Sequence, residues 1–139
     1  MQLPNGNYLH GLVVRANVSP PQAPMPGANL IYIFEHQSES ARPDPAVLKP
    51  SGLLLPPIWT NALAWSRGYF MNVDFIDVSP SRLLPKHCFW RASAKRYVDD
   101  GGEGIGDRIE PCGQWELVSY RWIDDQVSDA VGIARVPVD

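Results

Sequence analysis

The sequence predicts a mainly β fold, α+β at most, in the form of a small, strongly bent antiparallel sheet or an SH3-like barrel with one or two short helices. Short apolar segments, some with a period of two, recur along the chain. Fourteen prolines interrupt the sequence and cluster before residue 57, where they oppose long helices because proline lacks a backbone N–H. The length of 139 residues fits one domain, which we place at residues 1–139.

Two apolar segments in the first forty residues have the composition of strands. Tyr8–Val18 is rich in β-branched residues, and Gly11 within it predicts a bulge or bend. Asn29–Glu35 is apolar on both faces, which predicts a central strand. Ser38–Pro50 is polar and rich in proline, so it predicts a loop or a single helical turn, and residues 52–55 could pair only briefly.

The middle of the chain predicts further short strands. Residues 61–65 and Tyr69–Ile76 have the pattern of two strands joined by a tight turn, and the odd-numbered residues of the second strand form one apolar row. His87–Arg91 predicts another strand, whereas Arg96–Asp99 is too short to assign.

The last third of the chain combines glycines, acidic residues and tryptophans. Residues 99–107 contain four glycines and predict a mobile, solvent-facing acidic loop. Gln114–Trp122 alternates, which predicts a strand. Asp124–Gly132 predicts a short helix with aspartate at its N-cap and glycine as its stop, and Ile133–Val136 predicts a closing strand. The total is six or seven short strands, and most of the five tryptophans are predicted to lie in the core.

Charge is divided unevenly along the chain. Residues 1–98 hold nine lysines and arginines and five acids, a charge of +4, whereas residues 99–139 hold three arginines and ten acids, a charge of −7. This asymmetry predicts a charged partner, with a solvated acidic surface as the alternative. The basic residues are scattered and do not form the cluster that direct nucleic-acid binding needs, so a basic protein partner fits better.

The compartment is predicted from what the sequence does not contain. It has no apolar run long enough to span a bilayer and no basic, apolar leader at its start, which predicts a cytoplasmic protein with no membrane partner. In that compartment Cys88 and Cys112 are expected to be free, buried thiols. A disulfide between them is the alternative, because a sequence cannot place the two Cα atoms.

Candidate catalytic and metal-binding residues are few. Three histidines and two cysteines lack zinc-ligand spacing, so no metal and no cofactor are predicted. His87 and Cys88 are adjacent and therefore point to opposite faces of a strand, which argues against a Cys–His catalytic pair. Acids in the glycine loop would repel phosphate, which leaves a weak cation site as the alternative there. The pairs Asp99–Asp100 and Asp124–Asp125 are expected to be caps or surface charges, so the sequence predicts no enzyme.

Several segments occur in a recognisable order. They are Asn5–Tyr8, Ile31–Phe34, Arg67–Phe70, Tyr97–Gly101 and Gly113–Ile133, and the stretch Trp115–Ile133 is the most specific of them. This order resembles the immunity-protein 26 family of bacterial polymorphic-toxin systems, which include those of contact-dependent growth inhibition. The resemblance covers nearly the whole chain.

The resemblance implies a mostly β fold that acts without catalysis. Such a protein binds its cognate toxin domain, often a nuclease with a basic cleft, and blocks the active or substrate-binding site, here as a monomer in a 1:1 complex. The family does not specify the contacts, so charge supplies the candidates: Asp99, Asp100, Glu103, Asp107 and Glu110 in the loop, then Glu116, Asp124, Asp125 and Asp129. A generic β-barrel interaction module and a small hydrolase using Cys88 or a carboxylate pair are the alternatives.

Overall fold

The computed structural model describes residues 1–137, and this part of the chain forms seven strands and two α-helices, with single 3-10 turns between some of them. In chain order, the elements are β1 (Tyr8–Val18), β2 (Ala28–Ser38), β3 (Ile58–Thr60), α1 (Leu63–Ser66), β4 (Cys88–Arg91), β5 (Arg96–Val98), β6 (Cys112–Gln114), β7 (Leu117–Val118) and α2 (Tyr120–Val131). The 3-10 turns are Pro45–Val47, Pro50–Gly52 and Pro80–Arg82. The predicted mainly β fold with one or two short helices is confirmed.

The strands form two mixed sheets. Sheet 1 has the order β1-β2-β3-β7, and sheet 2 has the order β5-β4-β6. Most pairs are antiparallel, but β3 with β7 and β4 with β6 are parallel. The C-terminal segment therefore supplies one edge strand to each sheet. Within residues 1–137 the sheets stay open, so the predicted all-antiparallel sheet and the closed barrel are both replaced by this arrangement.

Strand β1 is strongly bent, and its prediction is confirmed. Its pairing with β2 shifts register between Leu9 and Gly11, between Val13 and Arg15, and again before Val18. Each shift bends the strand and increases its twist. At Gly11 the two backbones approach so closely that a Cβ would lie 2.6 Å from the carbonyl oxygen of Tyr32.

Strand β2 is central, as its apolar sequence predicts. It lies between β1 and β3 and is buried on both faces over most of its length. Because side chains alternate along a strand, Leu30 and Tyr32 face one side and Ile31 and Ile33 face the other.

The two faces of sheet 1 are covered by different elements. Ile31 and Ile33 pack with Ile123 and Val127 of α2. On the opposite face, Leu30 packs with Phe89 and Val98 of sheet 2. Sheet 1 is therefore the middle layer between α2 and sheet 2.

The predicted hairpin of residues 61–65 and 69–76 is wrong. Asn61 Oδ1 accepts a hydrogen bond from the backbone N–H of Leu63 at 3.0 Å, and a short helix, α1, follows. Residues 69–76 are not a strand, because in the described structure their backbone makes no ladder hydrogen bonds. The segment instead passes from the α2 face, where Tyr69 packs, to the opposite face, where Ile76 packs.

The predicted long strand over Gln114–Trp122 is also wrong. Ser119 Oγ accepts a hydrogen bond from the N–H of Trp122 at 3.1 Å and caps α2, so the helix begins at Tyr120 and not near Asp124. The predicted stop at Gly132 is confirmed: its φ of 76° and a 2.9 Å bond from the N–H of Ile133 to the Ser128 carbonyl form a Schellman motif. Residues 133–136 do not form the predicted closing strand.

Candidate functional site

The acidic loop between β5 and β6, residues 99–111, is ordered by its own first residue. Asp99 Oδ1 accepts hydrogen bonds from the N–H groups of Gly101 and Glu103, at 2.9 and 3.0 Å. The Asp99 N–H also bonds to the Glu103 carbonyl at 2.8 Å, and Val98 forms a bridge with Gly104. The first part of the loop, residues 99–104, is therefore a hydrogen-bonded turn.

Contacts with sheet 1 and with neighbouring loops fix this turn in place. The Arg15 guanidinium donates a 2.8 Å hydrogen bond to the Asp100 carbonyl and lies 3.8 Å from its carboxylate. Gly102, with φ of +84°, sits so close to the chain that a Cβ would lie 2.6 Å from the Pro21 carbonyl oxygen and 3.2 Å from the Trp115 ring. A glycine is required there both for space and for backbone conformation.

A buried histidine connects the loop to the core. The Tyr32 hydroxyl accepts a hydrogen bond from the N–H of Leu84 at 3.2 Å and shares a second hydrogen bond with His87 Nε2, at 2.6 Å. The other ring nitrogen, Nδ1, faces the Asp100 carboxylate at 3.8 Å. Burial lowers the pKa of His87, and the nearby Asp100 carboxylate opposes this shift.

The stability of the fold is therefore expected to depend on pH. Because the pKa of His87 is lower in the folded than in the unfolded chain, its stabilising contribution is complete above the unfolded value of about 6.5 and is lost as pH falls through the folded value. Burial lowers the pKa of His10 as well, so both groups act in the same direction. Urea unfolding should give a smaller free energy at about pH 5 than at about pH 7.5.

Two variants separate the contributions to this pH dependence. Asp100→Asn should increase the loss of unfolding free energy at low pH. The carboxylate that raises the pKa of His87 is then gone, while Arg15, which lowers this pKa, stays. His87→Gln should make the free energy of unfolding depend less on pH, and the dependence that remains should be due to His10. An identical pH dependence in His87→Gln and the wild type would contradict this assignment.

The residues considered for catalysis do not come together in one site. His87 contacts Tyr32 and Asp100, whereas the sulfur of Cys88 contacts Cys112. The Asp99 carboxylate accepts a hydrogen bond from the backbone N–H of Gly101, and the Asp124 carboxylate accepts a 2.9 Å hydrogen bond from the Tyr69 hydroxyl. Among residues 1–137 no group of three or more histidines, cysteines or acids is arranged to hold a metal ion.

The nine candidate acids differ in how far their charges are already paired. Six have partners within the chain: Asp99, Asp100, Glu110 with Arg108, Asp124, and Asp125 and Asp129 with Arg135. Three are exposed and make no side-chain hydrogen bond or ion pair in the described structure: Glu103, Asp107 and Glu116. These three are the carboxylates most available to a partner.

The acids also divide between two sides of the molecule. The loop acids lie between two strands of sheet 2, which covers one face of sheet 1. The acids of α2 lie on the helix that covers the other face of sheet 1. The structure thus separates Glu103 and Asp107 from Asp124 and Asp129. One partner surface can readily meet the loop group, and the helix group forms a different surface.

An apolar groove beside β1 is a second surface, which the charge pattern did not reveal. It has a volume of 610 Å³ and lies between β1 and residues 69–76, with Leu12, Val13 and Trp65 among its lining residues. Met71 is 70% exposed and Phe75 is 91% exposed on its outer wall. The alternation of apolar residues over 69–75 is the available signal in the sequence, but its period of two predicts a strand and not the wall of a groove.

A mainly β chain with a pre-ordered acidic loop and an exposed apolar groove has the features of a protein-binding domain. The family model described as immunity protein 26 matches residues 1–99, and the chain belongs to this family. The match ends before Trp115–Ile133, the stretch in which the resemblance is most specific, so that stretch lies outside it. Searches of curated proteins and of solved structures found no match.

Within residues 1–137 no helix is both long and apolar enough to cross a bilayer. The longest, α2, has 12 residues.

Proposed function

We propose that this chain is a non-enzymatic immunity protein that binds a cognate bacterial toxin domain and blocks its active or substrate-binding site. It acts in the cytoplasm as one domain, residues 1–139, and as a monomer in a 1:1 complex. Its partner is a basic toxin, of the nuclease class used in contact-dependent growth inhibition. Membership of the immunity protein 26 family supports toxin binding. The single observation that carries the choice of a basic partner is the acidic loop, in which Glu103 and Asp107 are exposed and have no ion-pair partner in the described structure.

The physical basis of the proposed interface is preorganisation. The loop conformation is already fixed by Asp99 and by Arg15, so little conformational entropy is lost when a partner binds. Glu103 and Asp107 are exposed and present carboxylates to solvent. A nuclease cleft is basic because it binds phosphates, and an acidic loop in that cleft excludes the nucleic acid and accelerates association.

Co-expression tests the function directly. A gene directly upstream for a large secreted protein that ends in a variable toxin domain would supply the toxin, and expression of that domain alone should kill cells. Cells that also express this chain should survive, and the two purified proteins should elute as one complex. Equal killing with and without the chain would overturn the immunity function.

Charge reversal tests the loop as the contact surface. Glu103→Lys combined with Asp107→Lys should weaken toxin binding about tenfold at low ionic strength, mainly through slower association. The difference from wild type should shrink at high salt, because salt screens exposed charges. Surface plasmon resonance over a range of salt concentrations measures both effects.

A matched control reverses two acids elsewhere. Glu35 and Glu39 are exposed and lie outside the loop, so Glu35→Lys with Glu39→Lys makes the same change in net charge. This control should bind within about twofold of wild type. Replacing Met71 and Phe75 with serine tests the groove. If the serine variant loses affinity and the loop variant does not, the groove and not the loop is the contact.

A further inference from the structure

The two cysteines of the chain meet in the core. Cys88 lies on β4 and Cys112 on β6, and the two are direct register partners in the parallel pairing of these strands. Their exposed fractions are 0% and 7%, and they are present as free thiols. The two sulfur atoms are in contact at 2.6 Å.

The strand pairing gives the two residues the geometry of a disulfide. Neighbouring strands lie about 4.8 Å apart, and a disulfide requires Cα atoms roughly 4.4–6.8 Å apart. Side chains of register partners project from the same face of a sheet, as the contact between the sulfurs demonstrates. Bond formation therefore requires no rearrangement of the backbone.

We propose that Cys88 and Cys112 form a redox pair that closes an intrachain disulfide on reaction with a small-molecule disulfide such as oxidised glutathione. One cysteine loses its proton and attacks glutathione disulfide, which releases one glutathione thiolate and leaves a mixed disulfide. The second cysteine then loses its proton, attacks the protein sulfur of the mixed disulfide and releases the second glutathione. The protein gives up two electrons and two protons, and both are recovered in two glutathione thiols. This redox chemistry takes place whether or not the chain binds a toxin.

Burial makes the exchange slow in the folded chain. It raises the pKa of the Cys112 thiol to about 12, and the neighbouring Cys88 adds to the shift. The thiolate is the attacking species, so little of Cys112 is reactive at neutral pH. In a reducing cytoplasm the pair stays a dithiol. Under oxidising conditions the disulfide forms, either while the chain folds or when the folded chain is kept there for a long time.

Closing the bond links β6, which follows the acidic loop, to β4. The ring from residue 88 to residue 112 contains β5 and the whole acidic loop. The junction is already compact: the N–H of Ile109 points to Cys88 Sγ at 3.4 Å, and the N–H of Cys112 bonds to Glu110 Oε2 at 3.3 Å. The disulfide would restrict the unfolded chain and hold the base of the loop.

Refolding in redox buffer tests the proposal. The full chain is unfolded, then refolded with either excess oxidised glutathione or dithiothreitol, quenched in acid and freed of the redox buffer, and treated with N-ethylmaleimide in urea at about pH 7. Intact mass should show two adducts on the reduced chain. The oxidised chain should show none and should lack the mass of two hydrogens. Its thermal midpoint should exceed that of the reduced chain by roughly 10 °C.

Cysteine variants complete the experiment. Cys88→Ala with Cys112→Ala should melt at the same temperature in both buffers, which assigns the shift to the bond. Cys88→Ser alone should take up one glutathione and gain no stability. Two maleimide adducts on wild type refolded with oxidised glutathione, or disulfide-linked dimers on a non-reducing gel, would overturn the proposal.

Discussion

Replacing Trp59 with alanine is expected to lower the free energy of unfolding by about 3–5 kcal/mol. Trp59 is fully buried on β3. Its ring lies 5.9 Å from the ring of Phe89 in sheet 2 and 5.6 Å from that of Trp115, so it joins the two sheets. The alanine variant would leave a cavity that neither sheet can fill, and urea unfolding measures the loss.

Trp59→Phe provides the matched comparison. The indole N–H of Trp59 is buried without a hydrogen-bond partner in the described structure. Phenylalanine keeps much of the aromatic contact and removes this unsatisfied donor, whose burial is itself unfavourable. We therefore expect a loss below about 2 kcal/mol. Equal losses for the two variants would show that the ring does not carry the contact between the sheets.

The sequence predicts the long strands well and the short ones poorly, for physical reasons. β1 and β2 are each 11 residues of mostly apolar or β-branched sequence, so burial alone specifies them. β3 has three residues and follows two prolines, and its pairing with β2 and β7 depends on contacts distant in sequence. The same limit applies to β7.

The start of α2 shows two local signals in conflict. Alternation over residues 114–122 favours a strand, whereas Ser119 as a cap followed by Ile123, Val127 and Val131 at four-residue spacing favours a helix. The helix forms because Ile123 and Val127 pack against Ile31 and Ile33. The helical spacing is visible in the sequence. The face of sheet 1 against which these side chains are buried is not, because β2 lies far away in sequence.

Charge counting located the acidic segment but could not identify which acids are free. The pairing partners of Asp100 and Asp124 are Arg15 and Tyr69, which lie far away in sequence. Only the folded chain brings these groups together. For the same reason, the exposure of Phe75 could not be predicted. Its apolar character alone predicts burial, and its place in the groove beside β1 is known only from the folded chain.

Gly113→Ala is expected to destabilise the chain by about 3 kcal/mol, near the upper end of overpacking effects. Gly113 lies in β6, where a Cβ would overlap the carbonyl oxygen of Pro57 and sit 3.2 Å from the Phe89 ring. The first contact is with backbone, which cannot move aside as a flexible side chain would. Urea unfolding should show a lower midpoint with an unchanged slope.

Gly52→Ala is the control for the general effect of replacing glycine. A Cβ at Gly52 would meet nothing within 4 Å, so this change should be neutral or stabilise by up to about 1 kcal/mol. β6 begins where the acidic loop ends, and Gly113 is the register partner of Phe89. A distortion at Gly113 should therefore reach the loop, and Gly113→Ala should also weaken toxin binding at temperatures where the variant is still folded. If Gly113→Ala loses stability but keeps full affinity, the shape of the loop does not depend on β6.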